Sequence, residues 1–262
     1  MADNILTRIA ASKRREVAAA RLAMPVEALE EAAFNCSRQP LQMSDSILSG
    51  SGIIAEHKRR SPSRGEISPM SDVEEVARLY AGGGASAMSV LTDTPFFGGS
   101  LADLMVARMS APMLPILRKE FIVDEYQLLE ARVAGADAVL LIAAMLPAGE
   151  IGRLNDFAHY LGLQTLVEIH DASEAASIPA DADMVGINNR DLTSFHTDLS
   201  VAARLVDILP PSAVKIAESG LKTPADMKNL RAAGFDGFLI GEAFMSAPDP
   251  GEALKSFIEY GV

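Results

Sequence analysis

The sequence predicts an α/β fold: a closed (β/α)8 TIM barrel with an N-terminal helical extension. Three observations carry that expectation. Six short apolar runs each end on a polar or charged group, from Ile53-Ile54-Ala55-Glu56-His57-Lys58 to Phe238-Leu239-Ile240-Gly241-Glu242. Continuous apolar runs of this length suit strands buried on both faces, as in a parallel sheet wrapped by helices. A helix end, a glycine and a buried strand recur in that order around Gly84, Gly135 and Gly234. Such a glycine can take the left-handed conformation that terminates a helix, and repeated helix–strand alternation implies right-handed βαβ units. The chain has 262 residues, close to the roughly 250 of one such barrel, and 49% of them are hydrophobic, enough for a full core.

Taken in order, residues 4–50 precede the first strand and hold two helical segments, Ile5–Leu22 and Val26–Ala33, broken around Pro25. Packing across an end of the barrel is their simplest role, a partner-binding arm the alternative. Residues 1–262 are therefore expected to form a single barrel domain, with 1–50 packed on it. Eight strands are expected near 52–57, 86–91, 114–118, 137–143, 164–169, 183–188, 214–218 and 237–241. Ser71-Asp72, Asp124, Asp171, Asp198 and Thr223-Pro224 mark helix starts, because a short polar side chain can cap the free N–H groups and proline suits the first turn. Eight alternations favour a closed barrel over an open sheet, and no Gly-x-Gly-x-x-Gly follows the first strand. Arg59–Ser71, rich in Ser, Pro, Arg and Gly, is a long loop on the rim where such loops act as lids, or else as packing filler.

Composition narrows the partners. A net charge of −12 and a pI near 4.8 oppose a phosphate backbone, so nucleic acid is not expected; an anionic small substrate needs a locally basic pocket. Cys36 is the only cysteine, which forbids an intrachain disulfide and points to a reducing compartment. Met1-Ala2-Asp3-Asn4 lacks the character of a signal peptide, and the apolar stretch from Ala138 to Leu146 falls short of the ~20 residues a membrane helix needs. A cytoplasmic protein, monomeric or weakly self-associating, is expected.

In a barrel, the C-terminal strand ends converge on one rim and carry the chemistry. Glu56 and Lys58, two apart on one strand, both point into the mouth, while His57 points toward the helices. A plain Glu56–Lys58 ion pair is the competing reading. Lys119 ends the third strand; shielded from water, a lysine loses basicity and can act as a general acid near neutral pH. Glu168 closes the fifth strand after neutral residues, a dry setting expected to raise its pKa into the range of a general base; capping the next helix is the alternative. Ser219-Gly220 and Gly241-Glu242 end the last two strands, where barrels commonly bind phosphate through backbone N–H groups. His57, His159, His170 and His196 show no metal-ligand spacing with one another or with Cys36, and no Gly-x-Ser-x-Gly elbow is present. Acid–base chemistry without a cofactor or metal is expected.

The run Ile53-Ile54-Ala55-Glu56-His57-Lys58-Arg59-Arg60-Ser61-Pro62-Ser63-Arg64-Gly65 closely resembles the signature of the indole-3-glycerol-phosphate synthase family. The resemblance continues through Ser89–Asp93, Phe96–Ser100, Lys119–Asp124, Leu166–Glu168, Ile187–Leu192, Ala217–Gly220 and Leu239–Glu242, essentially the whole chain. It implies ring closure, decarboxylation and dehydration of 1-(2-carboxyphenylamino)-1-deoxyribulose 5-phosphate, a step of tryptophan biosynthesis. It further implies Lys119 as general acid, Glu168 as general base, and Glu56 holding Lys119 and the sugar hydroxyls. Lys58 would pair with the anionic substrate and Asn188 with the reacting sugar. Arg190 and Ser61 would lie near the anthranilate carboxylate, and Phe97 and Phe121 would sandwich its ring. Ser219, Gly220, Gly241 and the Glu242 amide would hold the phosphate. His57, Arg60, Glu120 and Glu242 depart from the residues usual in the family; the Glu242 side chain is expected to turn away from the phosphate. Two other readings are a related barrel such as phosphoribosylanthranilate isomerase, which lacks the Glu56–Ser63 run, and a phosphoester-binding barrel without catalysis.

Overall fold

The computed structural model describes residues 5–191 and 196–261; Met1 to Asn4 and Leu192, the last residue of one motif above, lie outside them. Eight parallel strands close into a barrel: β1 Ile53–His57, β2 Ala87–Leu91, β3 Ile116–Lys119, β4 Ala138–Ile142, β5 Gln164–Ile169, β6 Met184–Asn188, β7 Val214–Glu218 and β8 Gly237–Ile240. Each strand pairs with its neighbour in the chain and β1 closes on β8, with Ile54 opposite Leu239. All eight fall within the expected ranges, to a residue or two at their ends.

Alternation divides the side chains. Ile54, Leu117, Leu140, Leu166, Met184, Ile216 and Leu239 fill the barrel interior, while their chain neighbours Ile53, Ile116, Val139, Val167, Val185, Ala217 and Phe238 pack outward against the helices. Gly84, Gly135 and Gly234 all have positive φ, as the helix–glycine–strand pattern requires. Asp72, Asp124 and Thr223 cap the helices that follow them, Thr223 in a reciprocal capping box with Asp226. Asp171 differs from expectation: it opens only the short 3-10 turn Ala172–Ser177. Asp198 accepts the Ser200 N–H beside the short helix Ser200–Leu205.

The extension splits its work between the two ends of the barrel. Helix α1 (Ile5–Ala23) brings Ile5, Leu6 and Ile9 to the mouth, and α2 (Val26–Phe34) packs on the barrel's flank against the helix Glu125–Ala134. A third helix, α3 (Met43–Ser49), was not expected from the sequence. Its seven residues are too few to show helical periodicity, yet Met43 and Ile47 plug the lower barrel beside Ile54, Met184 and Ile216. The burial of those two side chains, rather than intrinsic propensity, holds so short a helix.

Candidate active site

The strand ends build one cavity of about 660 Å³, lined by Glu56, Lys58, Lys119, Glu168, Asn188 and Glu218 at its base. Lys119 sits between two carboxylates from other strands: its Nζ lies 3.0 Å from Glu168 Oε2 and 2.7 Å from Glu218 Oε2. Glu56 instead pairs with Lys58, Nζ to Oε1 at 2.5 Å. The expected contact of Glu56 with Lys119 is therefore replaced: Glu56 acts on Lys119 only by its charge at longer range.

This arrangement reverses the expected proton affinities. Burial alone would lower the pKa of Lys119, but the charges of Glu168, Glu218 and Glu56 outweigh it and raise the pKa above that of a free lysine. Lys119 thus stands in the site as a fixed ammonium, not as a lysine of reduced basicity. Burial likewise works to raise Glu168, but Lys119, then His170 and a hydrogen bond from Asn188, pull it down to about 2. The carboxyl that is pushed up is Glu218, on which burial and the like charge of Glu168 prevail over Lys119, to about 8. One ammonium cannot neutralise two dry carboxylates, so the proton affinity of the pair rises, and the charges around it place that rise on Glu218. Glu218 was not singled out from the sequence as a site residue. The signal was there in strand alternation, which puts it on the inward face with Ile216, two residues before its chain reaches the rim. Gly186 is the counterpart on β6: a Cβ there would collide with the Glu218 carboxylate.

The walls follow from the loops. The long loop after β1 contains a short hairpin pairing Arg60–Ser61 with Gly65–Glu66. Arg59 anchors it by two 2.8 Å bonds to Asp103, and Arg60 donates to the carbonyls of Thr94 and Pro95. That anchoring delivers Ser61, Pro62, Ser63 and Arg64 to the cavity. Asp93 accepts from the N–H groups of Phe96 and Phe97 and so orients the turn bearing Phe97. Asp93 is itself held 2.6 Å from the buried Lys13 of α1, a connection the sequence did not disclose. Phe97 and Phe121 meet with ring centroids 5.8 Å apart, inclined by 45°, so they form a wedge on one wall rather than a parallel slot.

At the other side, Ser219 and Gly220 are consecutive left-handed residues, with φ of 65° and 84°; Ser219 is the sole positive-φ non-glycine among the described residues. Both line the cavity, and backbone strain of this kind clusters at functional loops. Gly241 opens the short helix Glu242–Met245, and a Cβ on it would come within 2.5 Å of Glu56 Oε1, so the close approach of Glu56 favours glycine there. The Glu242 side chain turns to the guanidinium groups of Arg190 and Arg64, each at 3.4 Å. Arg190 also donates to Ser63 Oγ at 2.5 Å, linking β6 to the hairpin loop. Every residue that the sequence analysis gave a catalytic or substrate-binding role thus lines one cavity, while His57 lies outside it on the outer face of β1. No group of side chains arranged to hold a metal ion occurs among the described residues.

Solved structures share the fold at low sequence identity. Thiamine phosphate pyrophosphorylase from Pyrococcus furiosus superposes with a TM-score of 0.60 at 17% identity, over 83% of this chain and 98% of that one. 3-Hexulose-6-phosphate synthase from Salmonella typhimurium gives 0.62 at 15%, over 80% and 98%. Closer relatives are found by sequence. The indole-3-glycerol phosphate synthase of Bacteroides thetaiotaomicron is 49% identical over 261 residues, 98% of each chain. That of Desulfosudis oleivorans is 46% identical over 263 residues, 98% of this chain and 99% of its own, and that of Burkholderia ambifaria 44% over 259 residues, 96% and 98%. The family model of indole-3-glycerol phosphate synthase matches residues 6–257, and the chain belongs to that family.

Proposed function

We propose that the chain converts 1-(2-carboxyphenylamino)-1-deoxyribulose 5-phosphate to indole-3-glycerol phosphate, carbon dioxide and water at this cavity, within tryptophan biosynthesis. The observation that carries the assignment is the Lys119 ammonium, held between Glu168 and Glu218 at the base of a pocket with an aromatic wall and glycine turns opposite it. Phosphate is held by N–H groups of Ser219, Gly220, Gly241 and Glu242, and the substrate carboxylate lies by Arg190, Ser61 and Lys58. Phe97 and Phe121 move apart to receive the aromatic ring.

Each chemical step then has a group in place. As the aromatic carbon bearing the carboxylate attacks the ribulose carbonyl, negative charge grows on the carbonyl oxygen, and Lys119 stabilises it and supplies a proton. A preorganised ammonium in a dry site does this far better than water. Loss of carbon dioxide restores the aromatic ring. Glu168, ionised, takes a proton from the methylene carbon next to the nitrogen, while the hydroxyl on the neighbouring carbon leaves as water with a proton from Glu218. Two carboxyls held at opposite ends of the pKa range can divide base and acid work in this way. Asn188 hydrogen-bonds the sugar, and Glu56 with Lys58 sets the opposite wall.

The test is growth of indole fluorescence when purified protein meets the carboxyphenylamino-deoxyribulose phosphate in the presence of a chelator. Lys119→Ala is expected to lower kcat by roughly a thousandfold or more while phosphate-ligand affinity stays within a few-fold. Binding by the wild-type protein without an indole signal would leave only a phosphoester-binding barrel. Wild-type turnover by Lys119→Ala would refute the acid assignment.

A further inference from the structure

One titratable side chain beside the site, half-buried with both ring nitrogens buried, takes no part in the chemistry above. His170 lies two residues beyond Glu168 at the end of β5, so alternation turns both toward the same side. Its Nε2 is 3.4 Å from Glu168 Oε1, the oxygen that Lys119 does not take. Its Nδ1 is 3.5 Å from Glu174 Oε2, and that same oxygen accepts the His170 backbone N–H at 2.7 Å. Neither ring nitrogen has a hydrogen bond of good geometry among the described residues, though both are buried. The ring is thus clasped between two carboxylates at ion-pair distance, one reactive and one at the edge of the barrel.

We propose that His170 is a positioning residue: as an imidazolium braced by Glu174 it holds Glu168 through Oε1, leaving Oε2 on Lys119 and the carboxylate ionised for proton abstraction. Glu168 then has two cations on opposite oxygens, whereas Glu218 has only one, and this asymmetry decides which of the two carboxyls keeps the shared proton. The charged groups that face His170 are Glu168 and Glu218 from the barrel, Glu174 from the turn Ala172–Ser177, and its chain neighbour Asp171. The neighbouring turn Ala143–Met145 brings no charge. Burial would lower the imidazole pKa, but the contact with Glu174 and the charge of Glu168 raise it above the ordinary histidine value. His170 in turn is among the causes that lower Glu168. The consequence has a definite sign. Without the imidazolium, Glu168 holds its proton to higher pH, so the acid limb of activity moves upward.

This inference rests on Glu168 being the base, and the experiment separates the two. Glu168→Gln tests the base and His170→Gln the positioning, because glutamine keeps a donor but no charge. His170→Gln is expected to lower kcat at neutral pH about tenfold with KM within about twofold, because Glu168, still ionised there, is no longer held in place, and separately to shift the acid limb of the kcat–pH profile upward by about one unit, one unit corresponding to a tenfold change in equilibrium. A His170→Gln profile that overlays the wild type, together with an inactive Glu168→Gln, would overturn the role of His170 and leave the base in place. An active Glu168→Gln would remove the base and, with it, the reason for His170. A second reading needs no active variant: nuclear magnetic resonance titration of the His170 ring in wild type and Glu168→Gln. Its pKa is expected to fall when the Glu168 charge is removed; an unchanged value would overturn the proposal.

Discussion

The barrel buries a charged cluster at each end, and the two are built on opposite plans. At the lower end, just ahead of β4, Asp137 is fully buried and over-satisfied. It pairs with Arg108 and, at 2.7 Å, with Arg38, and it accepts the N–H groups of Leu41 and Ile116 at 2.7 Å each. Two guanidinium groups and two amides serve one carboxylate, and Arg108 is further held by the carbonyls of Gly135, Pro112 and Leu114. At the mouth, one ammonium serves Glu168 and Glu218 together, and Glu218 Oε1 finds no hydrogen-bond partner among the described residues. In the first cluster every oxygen of the carboxylate is met by a cation or an amide, and among its donors Arg38 Nε alone lacks a partner among the described residues; the cluster ties the extension through Arg38 to the barrel floor. The second stays one positive charge short even when His170 is counted with Lys119, because Glu174 then joins Glu168 and Glu218, and the shortfall raises the proton affinity of Glu218. Buried charge therefore marks structure at one end and chemistry at the other, and the ratio of donors to acceptors distinguishes them.

Three substitutions test that contrast. The largest effect on stability is expected from Asp137→Asn, which leaves the buried Arg108 without its counter-ion: a loss of roughly 3 kcal/mol or more in urea unfolding, with kcat of the folded enzyme unchanged. A fall in kcat without loss of stability would erase the distinction.

His57 gives the next effect and a pH signature. It is buried on the outer face of β1, its Nε2 3.0 Å from Ser71 Oγ, and burial together with Arg59 lowers its pKa to about 4. Below pH 6.5 the unfolded chain binds a proton that the native protein refuses, so stability falls as pH drops from about 6.5 toward 4 and is constant above that window. Between pH 6.5 and 5 the loss attributable to this group is roughly 2 kcal/mol. His57→Leu is expected to flatten that part of the profile, read as urea midpoints at pH 7 and 5; an unchanged slope would show that the acid sensitivity lies elsewhere.

The smallest stability change is expected from Glu218→Gln, which removes one of two like charges: within roughly 1 kcal/mol of wild type, against a loss of at least about tenfold in kcat. Destabilisation comparable to that of Asp137→Asn would make the mouth cluster a structural joint as well.

Most of the fold was legible because its signals are local. Apolar runs, helix-ending glycines and capping side chains such as Asp72 and Thr223 act over a few residues, and each stands where those signals placed it. The three-turned cavity wall was legible as well, since strand alternation alone sends Glu56, Lys119 and Glu168 to one rim. Helix α3 was not, because Met43 and Ile47 are two ordinary apolar residues until the barrel floor exists to bury them. The link from Lys13 to Asp93 and Glu120 was equally hidden, its partners being some 80 and more positions away in the chain.

By itself, then, the sequence determined which residues face the mouth, because the period of a strand is a property of its own backbone. It also determined the family, through motifs set at seven of the eight strand ends. Only the tertiary structure decided which lysine pairs with which carboxylate, and hence that Glu218 rather than Glu168 is the carboxyl with raised pKa. Those pairings join strands distant in sequence, and a proton's free energy depends on every charge within a few ångströms, in a dry space that exists only once the barrel has closed.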